Sequence, residues 1–254
     1  MRPIRALFVF LVGAVISLTF TYALVVRPRI RAWGVDPAET DLALPGDDLV
    51  SQPSAIETRG LTVDAPVAKV WPYLIQMGFG RAGWYSYDAL DNKGSSAPGI
   101  VSEFQQLKPG DIMPTHPGGG FLVKTVDFER ALVLYTDTEL VRTQTQQAQD
   151  EGNTDLPTPG LKASGAILNA SFPEFAASWA FYLKPTEDGK TRLIERFRAK
   201  TPGSGAANVV LGEVMGTGIV LMTRKQMLGI KERVERGQHL PATFVPEPEA
   251  VPAL

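Results

Sequence analysis

A carboxylate turned inward by strand alternation is the strongest chemical feature of this sequence. Glu195 shares one face of a candidate strand with Leu193, Phe197 and Ala199, while Arg192, Arg196 and Arg198 take the other. A buried carboxylate needs a partner or a raised pKa. Arg59 shares parity with Glu57, Leu61 and Val63 on a second candidate strand, so it can be that partner. Two readings of the pair stand. It orients a polar ligand head or serves acid–base chemistry, or it is a structural ion pair near a cavity rim. A bulge that returned Glu195 to solvent would end both.

A second cluster runs Arg81-Ala82-Gly83-Trp84-Tyr85-Ser86-Tyr87-Asp88. Trp84, Tyr85 and Tyr87 each offer a flat apolar face and a hydrogen-bonding tip, which suits a cavity mouth. The alternative is a packing cluster with Arg81 and Asp88 as a surface pair. Trp179 and Phe181 alternate along another strand and, with Leu193 and Phe197, either line an apolar cavity or fill a core.

The remaining candidates are sparse. His116, in a glycine-rich turn, is a general base or simply an exposed histidine. The chain has no cysteine and two histidines, which excludes disulfides, cysteine nucleophiles and a histidine-rich metal centre. No Asp-x-Asp-x-Asp-Gly loop, phosphate-binding loop, three-glycine dinucleotide fingerprint or Gly-x-Ser-x-Gly elbow occurs. No cofactor or metal is therefore expected, and the residues assign no catalytic group. A net charge of −2 and the lack of a basic stripe argue against a nucleic-acid partner.

The elements that must position these groups are legible in part. An uncharged apolar run from Ala6 to Val26, bracketed by arginines, matches the roughly 20 residues a membrane-spanning helix requires. It exceeds a signal-peptide core and lacks a small-x-small cleavage site, so residues 1–26 are expected to be a single-pass anchor in the cell membrane. Arg2 and Arg5 before it nearly balance Arg27, Arg29 and Arg31 after it, leaving a slight lean towards a cytoplasmic domain. Residues 27–55 read as a linker that lies on the domain surface or reaches from the membrane.

Beyond the linker, Ile56 to Val63 reads as a strand. A helix follows from Pro66, with Pro72 expected to kink or break it. Three strand candidates start at Ile112, Gly120 and Ala131. Arg142 to Gly160, rich in Gln and Thr, is expected to be a mobile loop. A hairpin pairs Ser178–Lys184 with Lys190–Ala199 around Asp188-Gly189. A long helix from about Asn208 to Arg236 stops at Gly237, and residues 238–254 read as a disordered Pro-rich tail. An α+β architecture results, a curved antiparallel sheet packed around a C-terminal helix.

The opening Leu61-Thr62-Val63-Asp64-Ala65-Pro66 followed by Val70-Trp71-Pro72-Tyr73-Leu74 resembles the START-like, helix-grip (SRPBCC) superfamily. That superfamily holds polyketide cyclase/dehydrase-like proteins, plant allergens and lipid-transfer domains. The hairpin Trp179–Ala199 and the helix through Met222-Thr223-Arg224-Lys225-Gln226-Met227 match its expected end, and the Arg81–Asp88 block is similar to a bacterial branch. The resemblance covers roughly residues 56–237. It implies a cavity between the concave sheet and the long helix, with Arg59, Trp84, Tyr85, Tyr87, Trp179, Phe181, Glu195 and Phe197 as candidate ligand-binding residues. The function implied is a membrane-anchored binding or carrier domain for a lipid-like or polycyclic hydrophobic molecule. The alternatives are a cyclase- or dehydratase-type enzyme on such a ligand and a non-catalytic accessory subunit docked to a membrane protein.

Overall fold

The computed structural model describes residues 10, 13–14, 17–18, 20–92, 94–150, 174–200 and 206–237, with side chains in the last helix from residue 218. Six strands form one antiparallel sheet: β1 (Ala55–Val63), β2 (Ile112–His116), β3 (Gly119–Asp127), β4 (Ala131–Asp137), β5 (Ala176–Pro185) and β6 (Thr191–Lys200). Their order is β1-β6-β5-β4-β3-β2. The first strand therefore closes against the last, and the sequential hairpins run outward from there. The β5–β6 return uses Gly189 at φ +77°, a left-handed conformation that glycine adopts without steric cost.

The helices bounded within the described residues are α1 (Arg27–Arg31), α2 (Pro37–Asp41), α3 (Val67–Ile75), α4 (Asp88–Asp91), α5 (Thr138–Asp150) and α6 (Ala206–Gly237), with a π-helical turn at Tyr22–Val26 and a 3-10 turn at Ser102–Phe104. The protein is thus α+β, with a six-stranded antiparallel sheet and a long C-terminal helix. In α6, Val220, Thr223, Met227, Ile230 and Val234 are buried at helical spacing, and Met227, Ile230 and Val234 pack into the main core. That core joins α6 and α3 to the inner face of the sheet through Leu61, Val63, Leu132, Leu134, Phe181 and Leu193. Pro72 sits inside α3 without ending it, so the expected break does not occur.

Two further expectations are corrected. Arg142 to Asp150 is not loop but the larger part of α5. The Asp137 carboxylate accepts from the Leu140 N–H (2.8 Å) to start it, and Gln144 Oε1 accepts from the Gly120 N–H (3.0 Å) to fix it to β3. Gln and Glu are good helix formers, and tertiary hydrogen bonds replace the missing apolar face. Residues 151–160 lie outside the described residues. Arg81 and Asp88, in turn, do not pair. The Arg81 guanidinium donates to the carbonyls of Met77, Ile75 and Phe104, while Asp88 accepts from the Ser96 N–H and hydroxyl.

The segment read as a linker lies on the outer face of the sheet, the first of its two expected placements. Asp36 caps α2 through a capping box with Glu39. The Glu39 carboxylate accepts from Arg192 at 2.6 and 2.7 Å, and that contact holds its pKa below the usual range. Arg196 donates to the carbonyls of Glu39, Thr40 and Leu42 and to Asp47, whose carboxylate also meets Arg198. Leu44 and Val50 are buried beneath this strap. The three outward arginines of β6 are therefore its clasp.

No helix among the described residues is long and apolar enough to cross a membrane. Much of the expected anchor lies outside those residues, as does the Pro-rich tail.

Candidate functional site

Between the inner face of the sheet and α6 lies a half-open cavity of about 240 Å³. Its sheet side is built by Thr115 of β2, Phe121 of β3, Trp179 of β5 and Phe197 of β6. The helix side is one stripe of α6: Ile219, Met222, Thr223 and Gln226, spaced i, i+3, i+4, i+7. Trp84, Ser86, Leu90 and Asp91 close the third side.

Trp179 is the centre of this arrangement. Its ring stacks on Trp84 at 5.3 Å with 14° between planes, and it meets Phe121, Phe181 and Phe197 at 5.6, 5.1 and 6.4 Å. Its indole N–H donates to Glu195 Oε1 at 2.6 Å. Glu195 faces Arg59 across β1–β6 and Phe181 across β5–β6, and no bulge interrupts either register. Arg59 Nη1 donates to the same Oε1 at 3.2 Å, while Nη2 pairs with Glu57. Arg31 approaches Glu57 from the α1 side at 3.7 Å.

The expected Arg59–Glu195 pair is thus present, with both side chains fully buried. It stands behind the cavity wall rather than in it. Burial raises the Glu195 pKa, against the opposing pull of Arg59 and the Trp179 hydrogen bond. Oε2 of Glu195 and Nε of Arg59 have no hydrogen-bond partner. What the network does chemically is hold the Trp179 ring in one orientation: its N–H is aimed by a carboxylate that an arginine fixes in turn.

The aromatic block divides its roles. Trp84 lines the cavity. Tyr85 is buried outside it, with its hydroxyl accepting from Gln76 Nε2 at 2.7 Å and the Arg233 guanidinium 4.8 Å over its ring. Burial pushes its pKa well above the ordinary tyrosine value. Its φ of +59° is costly for a side-chain-bearing residue, and the Ser96 hydroxyl holds it there by accepting from the Tyr85 N–H at 3.0 Å. That left-handed step turns Trp84 and Ser86 to the cavity on either side of Tyr85. Tyr87 is exposed and precedes α4. Phe181 is a core residue behind Trp179.

Of the eight candidate residues, then, the structure places Trp84, Trp179 and Phe197 in the wall and Arg59 and Glu195 immediately behind it. Tyr85 and Phe181 support from the core, and Tyr87 lies outside. His116 lies two residues from Gly118, whose N–H its Nδ1 accepts at 3.1 Å, and burial lowers its pKa. No group of residues suited to a metal ion occurs among the described residues.

Sequence reasoning missed the polar members of the wall. Asp91 ends a four-residue helix, too short for a periodic signal. Gln226 was detectable in principle, because Ile219, Met222, Thr223 and Gln226 form a mixed stripe at helical spacing.

No protein-family model matches the chain. A curated relative, the tail fiber receptor-binding protein of Bordetella phage BPP-1, is 24% identical over 167 residues, 63% of this chain and 43% of that protein. The chain therefore spans less than half of that relative's length. A solved structure, a structural-genomics target from Nitrosospira multiformis, is 11% identical with a TM-score of 0.38, covering 73% of this chain and all of that one. A likeness at that level carries no argument about fold or function.

Proposed function

We propose that this chain is a START-like, helix-grip domain that binds or carries a small hydrophobic molecule, held at a membrane by residues 1–26. The observation that carries the reading is the half-open aromatic cavity between the sheet and α6. Removing apolar surface from water drives an oily guest into such a space at about 25 cal/mol per Å². An antiparallel sheet with α6 packed on its inner face is what the resemblance to that superfamily leads one to expect, and it supports the reading.

The volume narrows the guest. Sites for drug-sized ligands occupy roughly 300–1,000 Å³, and this cavity falls below that range. A flat molecule of one or two rings, or the end of a larger one, fits the stacked Trp84 and Trp179 better than a whole two-chain lipid. The test is calorimetric titration with 1-naphthylmethanol. The wild-type chain binds it, and Ile219→Trp, which puts an indole into the cavity from α6, weakens binding at least tenfold without unfolding the protein. Equal binding by both chains places the guest elsewhere and defeats the proposal.

A further inference from the structure

Arg31 and Trp33, at and just past the end of α1, meet the sheet and α6 at once. The Trp33 carbonyl accepts from the Gly60 N–H of β1 at 3.0 Å, and the Arg224 guanidinium of α6 lies 5.0 Å over the Trp33 ring. Gly34 follows at φ +71°, so close to β1 that a Cβ there would lie 2.2 Å from the Gly60 carbonyl oxygen. Helix α6 supplies one side of the cavity, and β1 borders β6, which supplies Phe197.

Arg31 reaches the wall by a second route. Its Nε lies 3.7 Å from Glu57 Oε1, and Glu57 stands opposite Phe197 across β1–β6. Glu57 pairs with Nη2 of Arg59, whose Nη1 donates to Glu195 Oε1, the acceptor of the Trp179 N–H. The chain Arg31–Glu57–Arg59–Glu195 therefore matches two carboxylates with two guanidiniums and ends on the Trp179 indole. Without Arg31, the buried guanidinium of Arg59 must serve both carboxylates. Burial is the main cause of the raised Glu195 pKa, and the Glu57 charge adds to it, so the two carboxylates are in electrostatic contact. An uncompensated Glu57 competes with Glu195 for Arg59 and loosens the carboxylate that aims the Trp179 ring.

We infer that Arg31 is a positioning residue for the cavity, and that guest binding is coupled to the seating of residues 31–34 on β1 and α6. The inference rests on the proposed ligand-binding reading and goes beyond it. A guest holds the segment down, and a displaced segment loosens the wall. Because α1 continues from the run proposed as a membrane tether, the position of that tether bears on loading. Coupling of this kind is reciprocal, so it can be read from either end.

The experiment uses the full chain with 1-naphthylmethanol as the probe. At the segment, saturating probe slows trypsin cleavage after Arg29 and Arg31 of wild type at least threefold, with no change after Arg130 in the β3–β4 turn. At the cavity, Arg31→Gln weakens probe binding in calorimetry at least fivefold and diminishes the near-ultraviolet circular dichroism of the stacked Trp84–Trp179 pair, and Arg31→Lys restores both. Gly34→Ala, which pushes the segment off β1 without altering the ion chain, also weakens binding. Equal slowing after Arg130 reports global stabilisation and overturns the coupling. Wild-type binding with unchanged cleavage overturns it too, as does wild-type affinity in both Arg31→Gln and Gly34→Ala, and each of these results leaves the cavity standing. Absence of probe binding by wild type overturns both readings. Should a variant fail to fold, the cleavage pattern of the wild-type chain decides alone.

Discussion

Two carboxylates on this chain meet the cost of burial with different partners. Glu195 is fully buried, and its Oε1 accepts from both Arg59 and the Trp179 N–H. Removing one partner from such a network costs more than the network's net worth, since the charge left behind is uncompensated. Trp179→Phe keeps most of the ring but deletes the N–H, and it should cost about 1–3 kcal/mol in urea denaturation. Loss of less than a few tenths would mean the indole is not held by Glu195. Asp91 has the Ser86 hydroxyl and backbone N–H groups against it instead. Burial, with Ser86 opposing and Asp88 adding its own negative charge, pushes its pKa up to about 6. A carboxyl pKa raised by folding stabilises the fold while protonated. That contribution is complete below the unfolded value near 4 and is lost as pH rises through about 6. Ligand-free Asp91→Asn should therefore unfold at a higher temperature than wild type above pH 6, by the equivalent of about 1–2 kcal/mol once solvent screening is allowed for, with the gap closing towards pH 4. A gap independent of pH would show that Asp91 ionises as freely as in an unfolded chain. The Arg59–Glu195 pair was legible in the sequence because strand parity reports which side chains face in. Asp91 was not, because a single helical turn carries no period and its burial is set by α6, distant in sequence.

The strands and the terminal helix owe their legibility to pattern. Alternation marked β1, β5 and β6, and Asp188-Gly189 marked the turn between the last two. The polar helix α5 and the fastening of the strap to the outer face were not legible, for one shared reason. Both are held by hydrogen bonds to distant elements, from Gln144 to β3 and from the β6 arginines to residues 39–47, and such bonds leave no local periodicity. The strap gives a clear expectation. Arg196→Ala removes four hydrogen bonds from it, so limited proteolysis should cut between residues 36 and 50 in the variant and not in wild type. Cleavage at the same rate in both would mean the strap is held by Leu44 and Val50 alone. The seat of α6 depends on a close approach: a Cβ on Gly229 would lie 2.2 Å from the Tyr85 carbonyl oxygen, with backbone rather than a flexible side chain in the way. Gly229→Ala should shift the helix, lower stability by about 1–3 kcal/mol and weaken 1-naphthylmethanol binding with it. A variant as stable as wild type with unchanged binding would show that the helix has room to move.

At the scale of the whole molecule, one sheet serves two surfaces. Its outer face is closed by the strap, so that the arginines of β6 are spent on fastening. The inner face supports the core and, beside it, a half-open cavity lined by Trp84, Trp179, Phe197 and one stripe of α6. A solidly packed interior would place its aromatics in contact on all sides. Here the stacked pair ends on open space. The membrane tether extends the same proposal, because a carrier of oily molecules held at a bilayer meets its cargo at the surface where that cargo dissolves. The most direct measurement is native mass spectrometry of the full chain extracted in mild detergent, beside Ile219→Trp prepared identically. The account predicts a small-molecule adduct on the wild-type chain that is absent from Ile219→Trp. Wild-type protein that carries no adduct and gains none when offered 1-naphthylmethanol would contradict it.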